Sequence, residues 1–223
     1  MDNSFQDLVN LGKFGTIMAD PPWLFNNSTG KMAPEHKRLF RYQTMTDEAI
    51  MSMPVNDVAL PKSHLYLWVP NALVETGLAV MKKWGFTYKT NIVWYKVRKD
   101  GGPDRRGVGF YFRNVTELLL FGVKGNYRTL DAGRSMPNII ISQKREHSRK
   151  PDEIYDVIEQ CSSGPYLELF ARHSRPNWTS WGNQVDSELD QEEQTLFSLN
   201  NLDYQPQLLE KRGKYTRNVI EGE

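Results

Sequence analysis

Short apolar runs alternate along this chain with segments of helical periodicity, and that alternation limits the fold more than any other feature of the sequence. Thr16-Ile17-Met18-Ala19 has the pattern of a buried strand and is ended by Asp-Pro-Pro. His64–Val69, Thr87–Tyr95, Glu117–Val123 and Tyr166–Phe170 read as further strands, and Trp178–Trp181 as a sixth. Between them, Thr46 can cap a short helix running to about Met53. Asn71 can cap a longer one to about Trp84, with Leu73, Leu78, Val80 and Met81 among its apolar positions. Pro151 stands in the first turn of a helix that continues to about Cys161, a place where proline is tolerated. Strands alternating with helices predict an α/β fold built on a largely parallel, doubly wound sheet. Ligands in such sheets sit beyond the C-terminal ends of the strands. Residues that carry chemistry are therefore expected to follow strands.

A chain of 223 residues, 39% hydrophobic, can form one such domain with an appendage. The pattern decays after about Val185 into Asp, Glu, Gln and Asn, which gives an expected domain over residues 1–184 and a polar tail or small add-on over 185–223. The formal charge of +1 conceals an asymmetry: residues 185–223 carry nine acids and four bases, which leaves +6 on the body. That modest excess suits a polyanionic partner and equally an ordinary mixed surface. The single cysteine, Cys161, excludes an internal disulfide and a four-cysteine zinc site and points to a reducing compartment. No apolar run of signal-peptide or membrane-span type is present, so a soluble, cytoplasmic protein is expected. The four histidines lack metal-ligand spacing, and no phosphate-binding or nucleophile-elbow motif occurs, so no metal is expected.

The most informative segment is Ala19-Asp20-Pro21-Pro22-Trp23. A buried strand delivers a carboxylate, two rigid residues and an aromatic ring to the ligand edge of the sheet. The segment can also be a strand stopped by Pro-Pro with Trp23 in the core. A second carboxylate, Glu168, lies in Tyr-Leu-Glu-Leu-Phe, and a carboxylate at a strand end can accept both hydroxyls of a ribose.

These segments resemble the MT-A70 family of N6-adenine methyltransferases over most of residues 11–184. The resemblance runs through Asp20-Pro21-Pro22-Trp23, Leu11-Gly12-Lys13-Phe14, Tyr42-Gln43-Thr44-Met45 and Leu67-Trp68-Val69. It continues in Ile92 to Lys96, Arg113-Asn114-x-Thr116-Glu117, Phe121 to Gly125 and Ser148-Arg149-Lys150-Pro151-Asp152-Glu153. Glu168 to Arg172 and Trp181-Gly182-Asn183-Gln184 close the set, in the expected order. The resemblance implies a Rossmann-like methyltransferase sheet, circularly permuted, with the catalytic strand ahead of the cofactor strand. It also implies S-adenosylmethionine as cofactor.

The implied roles make chemical sense. The N6 lone pair of adenine is delocalised into the ring, so acceptors for its two hydrogens favour the reactive pyramidal amine. The Asp20 carboxylate and the Pro21 carbonyl can be those acceptors, held in place by the two prolines, and Trp23 can offer a flat face to the base. On the cofactor side the resemblance places Asp20, Lys150, Glu168, Arg172, His173, Asn183 and Gln184, with Lys150 opposite the methionine carboxylate. By offset, Asp2 can reach the cofactor adenine. On the substrate side it places Tyr42 against the target base, with Lys96, Arg113, Asn114 and Glu117.

Two long connections, Leu24–Gln43 and Lys96–Asn114, should hang over the cleft. They hold Lys31, His36, Lys37, Arg38 and Arg41 in one, and Arg98, Lys99, Arg105, Arg106, Phe110, Tyr111 and Phe112 in the other, with glycines that suggest movement in the second. Such residues can grip phosphates and stack bases, and the target base has to be flipped or single-stranded. The shortness of the chain beside RNA-modifying relatives favours DNA, with RNA as the alternative polymer. A homodimer or a partner subunit is compatible with the tail. Two other readings stand beside the enzyme: a non-catalytic nucleic-acid-binding subunit, which usually has a degraded Asp-Pro-Pro-Trp, and a small-molecule methyltransferase.

Overall fold

The computed structural model describes residues 5–24, 44–104, 111–143 and 149–182. In chain order the elements are α1 (Phe5–Asn10), β1 (Phe14–Ala19), α2 (Asp47–Ser52), α3 (Val55–Val58), β2 (Ala59–Val69), α4 (Val74–Lys83), β3 (Thr87–Val97), β4 (Thr116–Lys124), β5 (Ile139–Gln143), α5 (Glu153–Cys161), β6 (Tyr166–Leu169) and β7 (Trp178–Trp181). Short 3-10 turns cover Asn71–Leu73 and Asp131–Arg134.

Seven strands form one sheet in the order β5-β3-β4-β2-β1-β6-β7. β1 pairs in parallel with β2 and β6, β6 with β7, and β3 with β5; β4 alone runs against its neighbours β2 and β3. The carboxyl ends of β1, β2, β3 and β6 therefore share an edge with the beginning of β4. That reversal matters for function, because it brings Glu117 to the ligand edge from the start of a strand.

Side-chain alternation divides the core between the two faces of the sheet. Ile17, Ala19, Leu65, Leu67, Val69, Leu120, Leu167 and Leu169 face one layer, closed by Val80, Met81 and Trp84 on and after α4. Met18, Tyr66, Trp68, Trp94, Leu119, Phe121 and Trp178 face the other, closed by Ile154 and Ile158 of α5. Gly77 on α4 has a packing reason: a Cβ there would lie 2.6 Å from the Val69 Cγ2, so glycine lets the helix press against β2.

Local chemistry decides the helix ends. Thr46 caps α2 as its type predicts, its hydroxyl accepting from the Ala49 N–H at 3.2 Å. Asn71 does not cap α4. Its amide donates instead to the Thr116 carbonyl at 3.1 Å and hydroxyl at 3.0 Å, tying the end of β2 to the start of β4. β5 was not among the strands expected from sequence. Its Ile139-Ile140-Ile141 run is short, and as an edge strand it buries Ile140 while leaving Ile139 and Ile141 exposed.

Candidate active site

The edge where the strands end carries a chain of alternating charges. Asp20 directly follows β1. Its Oδ2 lies 2.8 Å from the Lys150 Nζ, which lies 2.9 Å from Glu117 Oε1; the other Glu117 oxygen is 2.7 Å from the Lys96 Nζ. Lys150 and Glu117 are largely buried, with side chains 16% exposed. Two indoles lie under the lysines: Lys150 sits 5.4 Å from the Trp68 ring centroid and Lys96 4.5 Å from that of Trp94. The two tryptophans meet edge-on at 6.1 Å.

The electrostatics follow from this company. Burial works against the charged Lys150, but Asp20 and Glu117 overcome it and hold its pKa above the ordinary lysine range. Burial likewise opposes the Glu117 carboxylate, and Lys150 and Lys96 reverse it, drawing its pKa down to about 2. Two acids and two bases balance, which is the condition for keeping charges in a largely buried site.

Glu168 occupies a different setting one strand away. β6 lies beside β1, with Met18 opposite Glu168. The Tyr155 hydroxyl of α5 donates to Glu168 and is 2.9 Å from both of its oxygens. Burial pushes Glu168 up to about 7, although the Tyr155 hydrogen bond and the Arg175 charge pull the other way. Just beyond it Phe170 has a φ of +64°, the left-handed region that bulky residues rarely enter. Gly182 explains how the chain closes here: a Cβ would lie 2.4 Å from the Ala171 carbonyl oxygen.

The expected site residues divide into four groups. Asp20, Lys150, Glu117 and Lys96 are joined in one network, and Glu168 stands on the neighbouring strand. Arg172 and His173 follow β6, both half-buried, with the His173 carbonyl accepting from the Ser180 hydroxyl at 3.4 Å. Arg113 and Asn114 precede β4 on exposed backbone, after exposed Tyr111 and Phe112. Asp2, Tyr42, Asn183 and Gln184, like Lys31, His36, Lys37, Arg38, Arg41, Arg105, Arg106 and Phe110, lie outside the described residues.

Trp23 departs from the expectation of an open stacking face. Its ring belongs to the core, only 5% exposed, and its indole N–H donates to the Trp68 carbonyl at 3.0 Å. The reason is local: the Pro21 carbonyl accepts from the Trp23 N–H at 2.8 Å and the Pro22 carbonyl from the Met45 N–H at 3.0 Å, a tight turn that sends the ring inward. Trp23 thus anchors the turn that presents Asp20. Arg98 also differs from a free phosphate grip, since its guanidinium makes two bonds to Asp100, at 3.1 and 2.8 Å.

Tyr155 and Arg175 were missed as site residues. Asp152, noted with Arg149 only as part of a motif, binds both Arg149 and Arg175, each at 3.1 Å. One signal was available for Tyr155, its position beside Ile154 and Ile158 at the start of an amphipathic helix packed under β6. Among the described residues no group of three or more His, Cys, Asp or Glu is arranged to hold a metal, and no helix is long and apolar enough to cross a membrane.

The MT-A70 family model matches residues 14–184. The chain is 36% identical over 190 residues to the N(6)-adenosine-methyltransferase MT-A70-like protein of Drosophila melanogaster, covering 83% of this chain and 29% of that one. It is 34% identical over 189 residues to the human N(6)-adenosine-methyltransferase catalytic subunit METTL3, covering 83% and 30%. It therefore spans about 30% of the length of these two relatives. Against the Type II methyltransferase M.MunI of a Mycoplasma species it is 27% identical, covering 78% of both chains. With an apolar strand ending in Asp-Pro-Pro-Trp, an α/β sheet around it and a family match over residues 14–184, the chain belongs to the MT-A70 family of methyltransferases.

Proposed function

We propose that this chain transfers the methyl group of S-adenosylmethionine to the N6 amino group of adenine in nucleic acid, and that the polymer is DNA. The observation that carries the reading is the meeting of Asp20 with Lys150 and Glu117 at the sheet edge, one strand from Glu168. The cofactor supplies an electrophilic methyl group and the driving force of a sulfonium. The chain's own residues do the rest.

Asp20 accepts one hydrogen of the adenine amine. The Pro21 carbonyl accepts the other with the lone pair that the Trp23 N–H leaves open. Drawing on both hydrogens localises the nitrogen lone pair and stabilises the positive charge that develops on it, and a turn fixed by Pro21, Pro22 and the buried Trp23 does so without reorganisation. Lys150, with Lys96, balances Asp20 and Glu117 in the free protein, and it would pair with the methionine carboxylate of a bound cofactor.

The donor set suits that cofactor. An ionised carboxylate offers about four acceptor sites, and the single Tyr155 proton leaves Glu168 able to receive both ribose hydroxyls. Arg172, His173, Asn183 and Gln184 complete the ribose and adenine side, and Tyr42, Lys96, Arg113, Asn114 and Glu117 the substrate side. Exposed Tyr111 and Phe112, just before β4, are available to stack bases beside an extruded target. The catalytic domain is residues 1–184, and the permuted order is part of the proposal: β1 comes first in the chain, and β6 lies next to it in the sheet. The working compartment is reducing and cytoplasmic.

DNA is proposed because one relative, 27% identical with 78% of each chain covered, is a type II methyltransferase. RNA is the second reading, favoured by higher identity to relatives named for adenosine, the ribonucleoside. Labelled methyl transfer to matched DNA and RNA oligonucleotides, single- and double-stranded, tests both. Preferential labelling of DNA is expected. Labelling of RNA alone would replace the polymer, and labelling of free nucleotides but of neither polymer would refute the proposal.

A further inference from the structure

Tyr155 is held more firmly than packing alone requires. Its hydroxyl is 2.9 Å from each Glu168 oxygen. The Arg175 guanidinium lies 3.7 Å over its ring centroid, and Trp178 meets the ring edge-on at 5.2 Å. Arg175 is fixed in turn by Asp152, and Asp152 by Arg149, next to Lys150. The short segment from Arg149 to Tyr155 therefore reaches Asp20 and Glu117 through Lys150, and Glu168 through Tyr155. A phenylalanine would fill the same space; what it would lack is the proton offered to Glu168.

We infer that Tyr155, braced by Arg175, is a positioning residue that aims the Glu168 carboxylate at the hydroxyls of the cofactor ribose. This rests on the role given to Glu168 under the proposed function. A protonated Glu168 would carry an O–H where the diol needs an acceptor. Burial drives Glu168 toward that state, to about 7; Tyr155 and Arg175 oppose it, while Asp20 and Asp152 reinforce it. Among the described residues the charged and titratable groups that face Glu168 are Tyr155 on α5, Asp152 ahead of it, Asp20 after β1, and Arg175 between β6 and β7. Burial and the nearby Glu168 charge hold the Tyr155 phenol well above its ordinary range, so it remains a donor across the working pH.

The test is the dissociation constant of S-adenosylmethionine, measured by calorimetry on the full chain across the neutral range, for four proteins. In the unaltered chain affinity should fall as pH drops below about 7. Tyr155→Phe should bind roughly tenfold more weakly at neutral pH, as loss of a hydrogen bond to a charged group predicts. Its fall-off should move to higher pH, with affinity recovering in alkaline buffer. Arg175→Gln should move the fall-off the same way by less, and Glu168→Gln should bind weakly at every pH. If Glu168→Gln is weak and flat while Tyr155→Phe tracks the unaltered chain, the role of Tyr155 is overturned and that of Glu168 stands. If Glu168→Gln binds normally, the reading of Glu168 itself fails. Melting curves establish that the variants fold; should Tyr155→Phe not fold, an unmoved profile in Arg175→Gln overturns the inference.

Discussion

Glu117 and Glu168 are the same residue type at the same edge of one sheet, and the fold treats them in opposite ways. Glu117 stands between two lysines and is held at about 2, below the ordinary carboxylate range; Glu168 is held by a neutral hydroxyl and raised to about 7. Burial raises both. The difference is the company: ammonium groups 2.7 and 2.9 Å from Glu117 reverse the cost of burial, and a tyrosine at 2.9 Å from Glu168 only softens it. Two carboxylates pushed apart by their surroundings suit two tasks, one a permanent charge in an ion-pair chain, the other a carboxylate whose acceptor strength depends on pH.

The contrast can be broken by four tests, in descending order of effect. Removing the acid at the end of the chain should matter most. Asp20→Ala should lower transfer by roughly a hundred- to a thousandfold, the scale on which preorganised groups at a reacting centre act, while cofactor binding largely persists; retained turnover would refute its role. Next, Lys150→Met leaves Asp20 and Glu117 without their shared counter-charge. A loss of about 3–5 kcal/mol is expected from breaking a buried pair on one side, read as a fall in the denaturation midpoint, together with weaker cofactor binding.

The third test sets the two glutamates against each other. A carboxylate lowered by folding contributes stability above its unfolded pKa of 4.5 and loses it as pH falls through about 2. A raised one costs stability as pH rises from 4.5 through about 7. At neutral to alkaline pH, Glu117→Gln should therefore destabilise the fold and Glu168→Gln stabilise it, each on the order of a few kcal/mol. Shifts of the same sign in both variants would contradict the contrast. The smallest effect is expected from Lys96→Met at the outer end of the chain, about 1 kcal/mol, because Glu117 keeps Lys150.

The same contrast separates what the sequence made legible from what it hid. Asp20 and Glu168 are visible because a short apolar strand presents each, continuously buried before Asp20 and alternating around Glu168, and an α/β alternation assigns both to one edge. The strands around them were legible for the same reason. The reversal of β4 was not, since Glu117–Val123 reads identically in either direction and only pairing with β2 and β3 decides. β5 was hidden because three isoleucines in an edge strand offer no alternation. The Lys150–Asp20 and Tyr155–Glu168 contacts join residues brought together by tertiary packing, and no local spacing encodes them. Trp23 marks the limit of a motif: its letters gave the anchor but not the direction of the ring.

The most direct measurement is single-turnover transfer from methyl-labelled S-adenosylmethionine to an adenine-containing oligonucleotide, followed by digestion and nucleoside analysis. Label is expected in N6-methyladenine from the unaltered chain, and at a rate lower by roughly a hundredfold or more from Asp20→Ala, although that variant still binds the cofactor. Label on another atom, or equal label from the two proteins, would contradict this expectation.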